Sequence, residues 1–265
     1  MIVELSDFFN NPSLVSIGPL KIQYYAITWL LSAVFIYLYL RSNEIIIELG
    51  INDEKVNDLV FLYGLFIGAM CGGRVGYMLF YGSEQLLSNP LSLFYVWQGG
   101  LSFHGGLIGV VISFFIFAKK NNLDFFRLMD SVALSMPIGL GLVRIGNFLN
   151  GELYGKETNG DWGFIFPTDP YGLLRHPSQL YESLGEGIIL FGLLMFVNRI
   201  SKSHGVICSF FLIFYGLIRF VIEFFRQPDA HIGYVAYNFL SMGQILCIPM
   251  ILIGFIILFY SRKKA

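Results

Sequence analysis

Three arginines, Arg74, Arg144 and Arg219, fall inside stretches apolar enough to lie in a bilayer. A guanidinium there cannot shed its proton cheaply, so it demands carboxylates, water or an anionic ligand as partner. Asp130, Glu182, Glu186 and Glu223 lie in or near the same stretches and are the candidate counter-charges. Every one of these charges would be costly facing lipid, so a shared polar interior is the economical arrangement. The chemistry that suits such an interior is the handling of an anion. Guanidinium grips phosphate or carboxylate oxygens in a bidentate fork and stays protonated while doing so.

The residues around each arginine sharpen this reading. In GLVRIGNFLNGELYG, residues 141–155, Asn147 follows Arg144 by three positions and presents its amide on the same side of a helix; Asn150, Gly151 and Glu152 then break the apolar pattern. In FYGLIRFVIEFFRQPD, Tyr215, Arg219, Glu223 and Arg226 recur at spacings of 4, 4 and 3, a polar stripe along an apolar helix. Arg219 and Glu223 are also spaced to neutralise each other. Gln179, Glu182 and Glu186 share a helix face, and Ser178 is placed to cap that helix with Glu182 completing a capping box. Arg74, in CGGRVGY, fits a structural ion pair and a ligand contact equally. His104, in GGLSFHGGLIG, sits between small residues that leave its ring accessible, and imidazole is suited to taking a proton near neutral pH. A packing role for it stays open. Ser102 lacks the strand-turn-helix setting of a hydrolase nucleophile. Tyr24 and Tyr25 fit an interfacial aromatic belt. His204 and His231 read as loop histidines without metal-ligand spacing.

Seven apolar segments must position these groups, at about 22–40, 57–81, 101–118, 125–149, 178–198, 206–225 and 240–260. With 55 % hydrophobic and only 13 % charged residues among 265, and a mean hydropathy of +0.66, the chain is an integral membrane protein of the all-α, polytopic class. It reads as a single membrane domain over 1–265. The basic residues form no stripe, which argues against a nucleic-acid partner. Ten loop lysines and arginines fall on one side and four on the other, which puts the C-terminus in the cytoplasm and the N-terminus outside. The outer connections are longer, and 150–177 reads as a small extracytoplasmic cap. The last segment, apolar apart from Gln244, reads as scaffold. Cys71, Cys208 and Cys247 read as small buried hydrophobes, and the N-terminus lacks the marks of a removed signal peptide.

GGLSFHGGLIG, GLVRIGNFLNGELYG, RHPSQLYE and YGLIRFVIEFFRQPD, together with the tyrosine pair, resemble prolipoprotein diacylglyceryl transferases over nearly the whole chain. The resemblance implies seven membrane helices in the bacterial cytoplasmic (inner) membrane, with a site opening outward. It also implies transfer of the diacylglyceryl group of phosphatidylglycerol to the sulfur of a lipobox cysteine in a prolipoprotein signal peptide, releasing glycerol 1-phosphate. No metal or nucleotide cofactor is implied. By that likeness Arg144 is the signature arginine, with Asn147, Glu152 and Gly155 as companions; Arg219 is a second essential arginine, with Tyr215 and Glu223 as neighbours. His104 matches the motif histidine and Tyr25 the family's tyrosine.

Other classes remain to be weighed. A transporter or channel for an anionic solute also places arginines within the membrane, but no duplicated halves are visible. A light-driven protein would need a Schiff-base lysine that the last segment lacks. A lipid scaffold leaves the intramembrane arginines unexplained.

Overall fold

The computed structural model describes residues 2–3, 13–17, 20–160, 162–228, 233–236 and 240–264. His231 lies outside the described residues. Seven long helices dominate: α1 Tyr24–Ser42, α2 Asp53–Phe80, α3 Phe103–Lys120, α4 Phe125–Leu149, α5 Ser178–Ile200, α6 Val206–Ile222 and α7 Met242–Lys264. Six of these are long and apolar enough to cross a membrane; α6, with 17 residues, is apolar but shorter. Leu30, Leu38, Leu65, Ile108, Ile188 and Phe255 are exposed along them, a surface that lipid accepts and water does not. The protein is a multi-pass, all-α membrane protein.

Short strands complete the fold. Strands β1 Ile2–Val3, β4 Gly163–Ile165 and β5 Leu174–Arg175 form one sheet, with β1 parallel and β5 antiparallel to the central β4. Strands β2 Ser13–Ile17 and β3 Leu20–Gln23 pair antiparallel, as do β6 Tyr234–Ala236 and β7 Leu240–Ser241.

The chain divides into two compact units, one of Met1–Tyr39 with Met129–Ala265, the other Leu40–Leu128. In the second unit α2 and α3 meet along a glycine seam. A Cβ on Gly109 would stand 2.4 Å from the Gly68 carbonyl oxygen and one on Gly105 2.6 Å from that of Gly72, so only glycine permits this approach. Helix α2 begins at Asp53, earlier than its apolar pattern suggests, because the Asn52 side chain accepts from the Lys55 N–H and caps it. The capping extends a helix beyond the part that hydrophobicity can report. Two ion pairs, Arg41 with Asp53 and Arg127 with Glu48, tie this end of the unit together.

Arg74 departs from expectation. It is buried, and it donates to the carbonyls of Ser92 (2.6 Å), Leu93 (3.2 Å) and Gly100 (3.3 Å), and also to that of Gly99. Backbone oxygens of the α2–α3 connection answer its charge, in place of the structural ion pair weighed above. Cys71 is also a correction, being exposed where a buried position was expected; Cys208 and Cys247 are buried.

In the first unit α6 packs along α7, and the connection between α4 and α5 folds over an aromatic cluster. Phe148 and Phe166 are buried there, with Leu149, Tyr154, Phe164 and Leu180 against them. Arg175 of β5 makes a bidentate pair with Asp169, Nε to Oδ2 at 2.8 Å and Nη2 to Oδ1 at 3.0 Å, and lies over the Tyr154 ring. The Arg175 guanidinium holds the Asp169 carboxyl below the usual aspartate range. Asp130, weighed as a counter-charge, accepts from the N–H groups of Gly205 (2.8 Å) and Cys208 (2.9 Å) at the start of α6, where helix-terminal donors favour an anion.

Candidate functional site

The first unit gathers charge from three helices. Arg144 on α4 reaches Glu182 on α5 with its Nε at 2.7 Å and Glu186 at 3.6 Å. Arg219 on α6 reaches the same two carboxylates through Nη1, at 3.0 and 3.3 Å, and Glu223 through Nη2 at 2.8 Å. Arg226 approaches Glu182 and Glu223 at 3.8 and 3.9 Å. Three guanidinium groups and three carboxylates thus form one network, and Glu182 and Glu186 are fully buried in it.

Local sequence explains how the helices come close enough. A Cβ on Gly187 would lie 3.0 Å from the Gly141 Cα, so α4 and α5 touch backbone to backbone. Arg144, three residues past Gly141, then falls opposite Glu182 and Glu186. Between Ser183 and Ile189 helix α5 widens into π-helical turns, a local form that recurs at functional sites. Glu182 immediately precedes this widened segment and Glu186 lies within it, and both face the same two arginines.

The two expected arginines are held differently. Arg219 is nearly buried and committed to three carboxylates; the Arg144 side chain is 20 % exposed against 9 % for Arg219. Arg144 makes its closest approaches to carboxylates through Nε, and its terminal nitrogens donate no hydrogen bond to any described residue. A fork for an incoming anion is therefore available on Arg144.

Around this network stand the other expected residues of the unit. Asn147 Nδ2 donates to Glu152 Oε1 at 2.8 Å, which leaves the buried Asn147 Oδ1 without a hydrogen-bond partner among the described residues. Tyr25 packs against α4 beside Asn147: a Cβ on Gly146 would lie 3.1 Å from its ring. Tyr215, one turn before Arg219 on α6, stacks on the Phe211 ring with centroids 5.7 Å apart. Gly155 has a backbone task. A Cβ there would stand 2.5 Å from the His176 carbonyl oxygen and 2.6 Å from that of Phe225, because the chain is paired on both sides, Gly155 N–H to His176 and Lys156 N–H to Phe225. The same pairing pulls the chain off α6 after Ile222, short of the end at 225 that hydropathy suggests.

His104 lies in the other unit, in the first turn of α3, exposed and edge-on to Phe103. Ser102 is the N-cap of that helix, its hydroxyl accepting from the Gly105 N–H, a structural task and no nucleophile's setting.

Two expectations for α5 and α7 are corrected. Ser178 does not cap α5, whose first turn has no side-chain cap; its hydroxyl donates to the Leu153 carbonyl at 3.1 Å. Glu182, four residues after Ser178 where a capping box needs three, forms no capping box and serves the arginines. Gln179 donates to the Glu152 carbonyl at 2.7 Å, so both polar residues at the head of α5 hold the loop that carries Glu152. The start of α7 is more than scaffold, since the Ser241 hydroxyl donates to Glu223 Oε1 at 3.0 Å and Gly243 lies against the same carboxylate. Glu182 and Glu186 were readable as counter-charges but not as members of the site; their 4-residue spacing on an apolar helix was the available signal.

Apolar spanning helices with an ion-paired cluster buried among three of them define a polytopic membrane protein with an internal network of arginines and carboxylates. Known proteins then place it more finely. The family model described as prolipoprotein diacylglyceryl transferase matches residues 12–260. Phosphatidylglycerol--prolipoprotein diacylglyceryl transferases of Pseudomonas entomophila and Pseudomonas fluorescens (strain Pf-5) are each 46% identical to the chain over 96% of its length, covering 95% and 96% of theirs. That of Ectopseudomonas mendocina is 43% identical over 254 residues. The chain belongs to the prolipoprotein diacylglyceryl transferase family and is a membrane-embedded transferase.

Proposed function

We propose that this protein transfers the diacylglyceryl group of phosphatidylglycerol to the sulfur of the lipobox cysteine of a prolipoprotein signal peptide, releasing glycerol 1-phosphate. The observation that carries this reading is the meeting of Arg144 and Arg219 on two shared buried carboxylates, with the terminal nitrogens of Arg144 uncommitted.

In this reaction the cysteine S–H gives up its proton and the thiolate attacks the glycerol carbon that bears the phosphate ester. The S–C bond forms, the C–O bond breaks, and its electron pair leaves on the phosphate oxygen. The nucleophile belongs to the peptide, so the enzyme supplies a route for the proton from a thiol of pKa about 8.5, and cations for the leaving phosphate. Arg144 grips the phosphate through its free fork. Arg219 anchors Glu182, Glu186 and Glu223, and adds its field to the growing charge. Asn147, through its unpartnered Oδ1, and Tyr25 orient the head group; Glu152 fixes Asn147, and Tyr215 lines the arginine cluster. Glu223 holds Arg219 in place. Gly155 shapes the loop that carries Glu152. His104, which the resemblance matches to the motif histidine, assists thiol deprotonation. The site opens to the outer face of the bacterial cytoplasmic (inner) membrane, with the N-terminus outside and the C-terminus inside, as the loop charges favour.

Purified protein given labelled phosphatidylglycerol and a lipobox peptide should label the peptide when the acceptor is cysteine and not when it is serine. Absence of transfer to the cysteine peptide by folded protein overturns the proposal. Movement of an anionic solute across liposomes without lipid consumption would favour a transporter instead.

A further inference from the structure

Glu186 and Glu182 approach the same two guanidinium nitrogens, and Arg219 Nη1 donates a hydrogen bond to Glu186 Oε1. Both nitrogens, Arg144 Nε and Arg219 Nη1, lie closer to Glu182, at 2.7 against 3.6 Å and 3.0 against 3.3 Å. An ion pair needed only for packing gains little from a second, looser carboxylate on the same nitrogens, and the two acids repel one turn apart. What Glu186 changes is the charge count. Its carboxylate sets the charge around Arg144 and Arg219 one unit lower than it would be without it.

That difference matters for what the site holds after reaction. A phosphodiester carries a single negative charge, whereas a phosphate monoester approaches two near neutral pH because its second pKa is about 6. A more positive cluster favours the more highly charged monoester, which is the species that must leave. With that charge one unit lower and one guanidinium fork exposed, the site can seat the diester without trapping the product.

We propose that Glu186 is a positioning residue that sets the charge of the arginine cluster, weakening its hold on a phosphate monoester so that this product departs. The inference rests on the reading of the site as one that cleaves a phosphodiester lipid and releases a phosphate monoester.

The test compares wild-type protein with Glu186→Gln, which keeps the shape and removes the charge, and with Glu186→Asp, which keeps the charge. Binding of glycerol 1-phosphate is measured directly by calorimetry in detergent, and inhibition of transfer by the same compound is measured beside it. E186Q should bind glycerol 1-phosphate roughly tenfold or more tightly, the scale of one added nearby charge in a partly screened site. Its kcat should fall while KM for phosphatidylglycerol falls or holds, and E186D should stay near wild type in both. Glycerol 1-phosphate binding to E186Q that is unchanged or weaker overturns the proposal. Should E186Q fail to fold, Arg226→Gln takes the count in the opposite direction, and its binding must weaken; unchanged binding by R226Q overturns the proposal as well. Failure of wild-type protein to transfer from phosphatidylglycerol would instead strike the function proposed above, and the calorimetric comparison reads the charge effect separately.

Discussion

Arg144 and Arg219 carry the same charge and share the same carboxylates, yet their removal should have different consequences. Arg219 is the hub for Glu182, Glu186 and Glu223, so Arg219→Gln leaves buried carboxylates uncompensated and should cost about 3–5 kcal/mol, read as a fall in thermal stability of the purified protein. Arg144 offers its fork outward. Arg144→Gln should leave stability closer to wild type and slow transfer by about 100-fold, the scale for losing one preorganised donor to developing charge. Equal loss of stability in both variants would contradict this division. These arginines were legible in the sequence because a charge in an apolar run has few tolerable explanations. Their carboxylates were less so: the spacing of Glu182 and Glu186 puts them on one helix face but does not say which arginines they meet, and only tertiary contacts decide. Arg74 was harder still, because its partners are backbone carbonyls nearly twenty or more residues away and no side-chain pattern encodes them.

At the scale of elements, the connection between α4 and α5 behaves as a small folded cap whose strongest polar tie is Asp169 with Arg175. The aspartate pKa is lowered in the folded protein, so the pair contributes fully above the unfolded value of about 3.9 and is lost as pH falls below it through the folded value. Acid should therefore loosen this loop in wild-type protein below about pH 4, and Asp169→Asn should show the loosening already at neutral pH, measured by hydrogen exchange over 163–175. An unchanged exchange pattern in D169N would remove the pair from this role. Hydropathy located the helices well, because bilayer thickness fixes their length. It located their ends less well: Asn52 extends α2 by side-chain capping, and the Gly155–Arg226 bridge draws the chain away from α6. The three strands of the β1–β4–β5 sheet, two or three residues each, are too short to impose an alternating pattern on the sequence.

For the whole molecule, the uneven distribution of loop lysines and arginines predicts a definite orientation. A cysteine placed at Asn159, in the connection after α4, should react with an impermeant maleimide applied to intact spheroplasts; one at Lys202, between α5 and α6, should react only after the membrane is opened. The reverse pattern would invert the orientation. The most direct test of the central claim is the distance between lipid phosphorus and arginine nitrogen. Solid-state NMR on protein carrying nitrogen-15 arginine, reconstituted with phosphatidylglycerol, should give a phosphorus–nitrogen contact within about 4 Å that disappears in Arg144→Gln. A contact that survives that substitution, or none in wild-type protein under saturating lipid, would contradict the placement of the phosphate on Arg144.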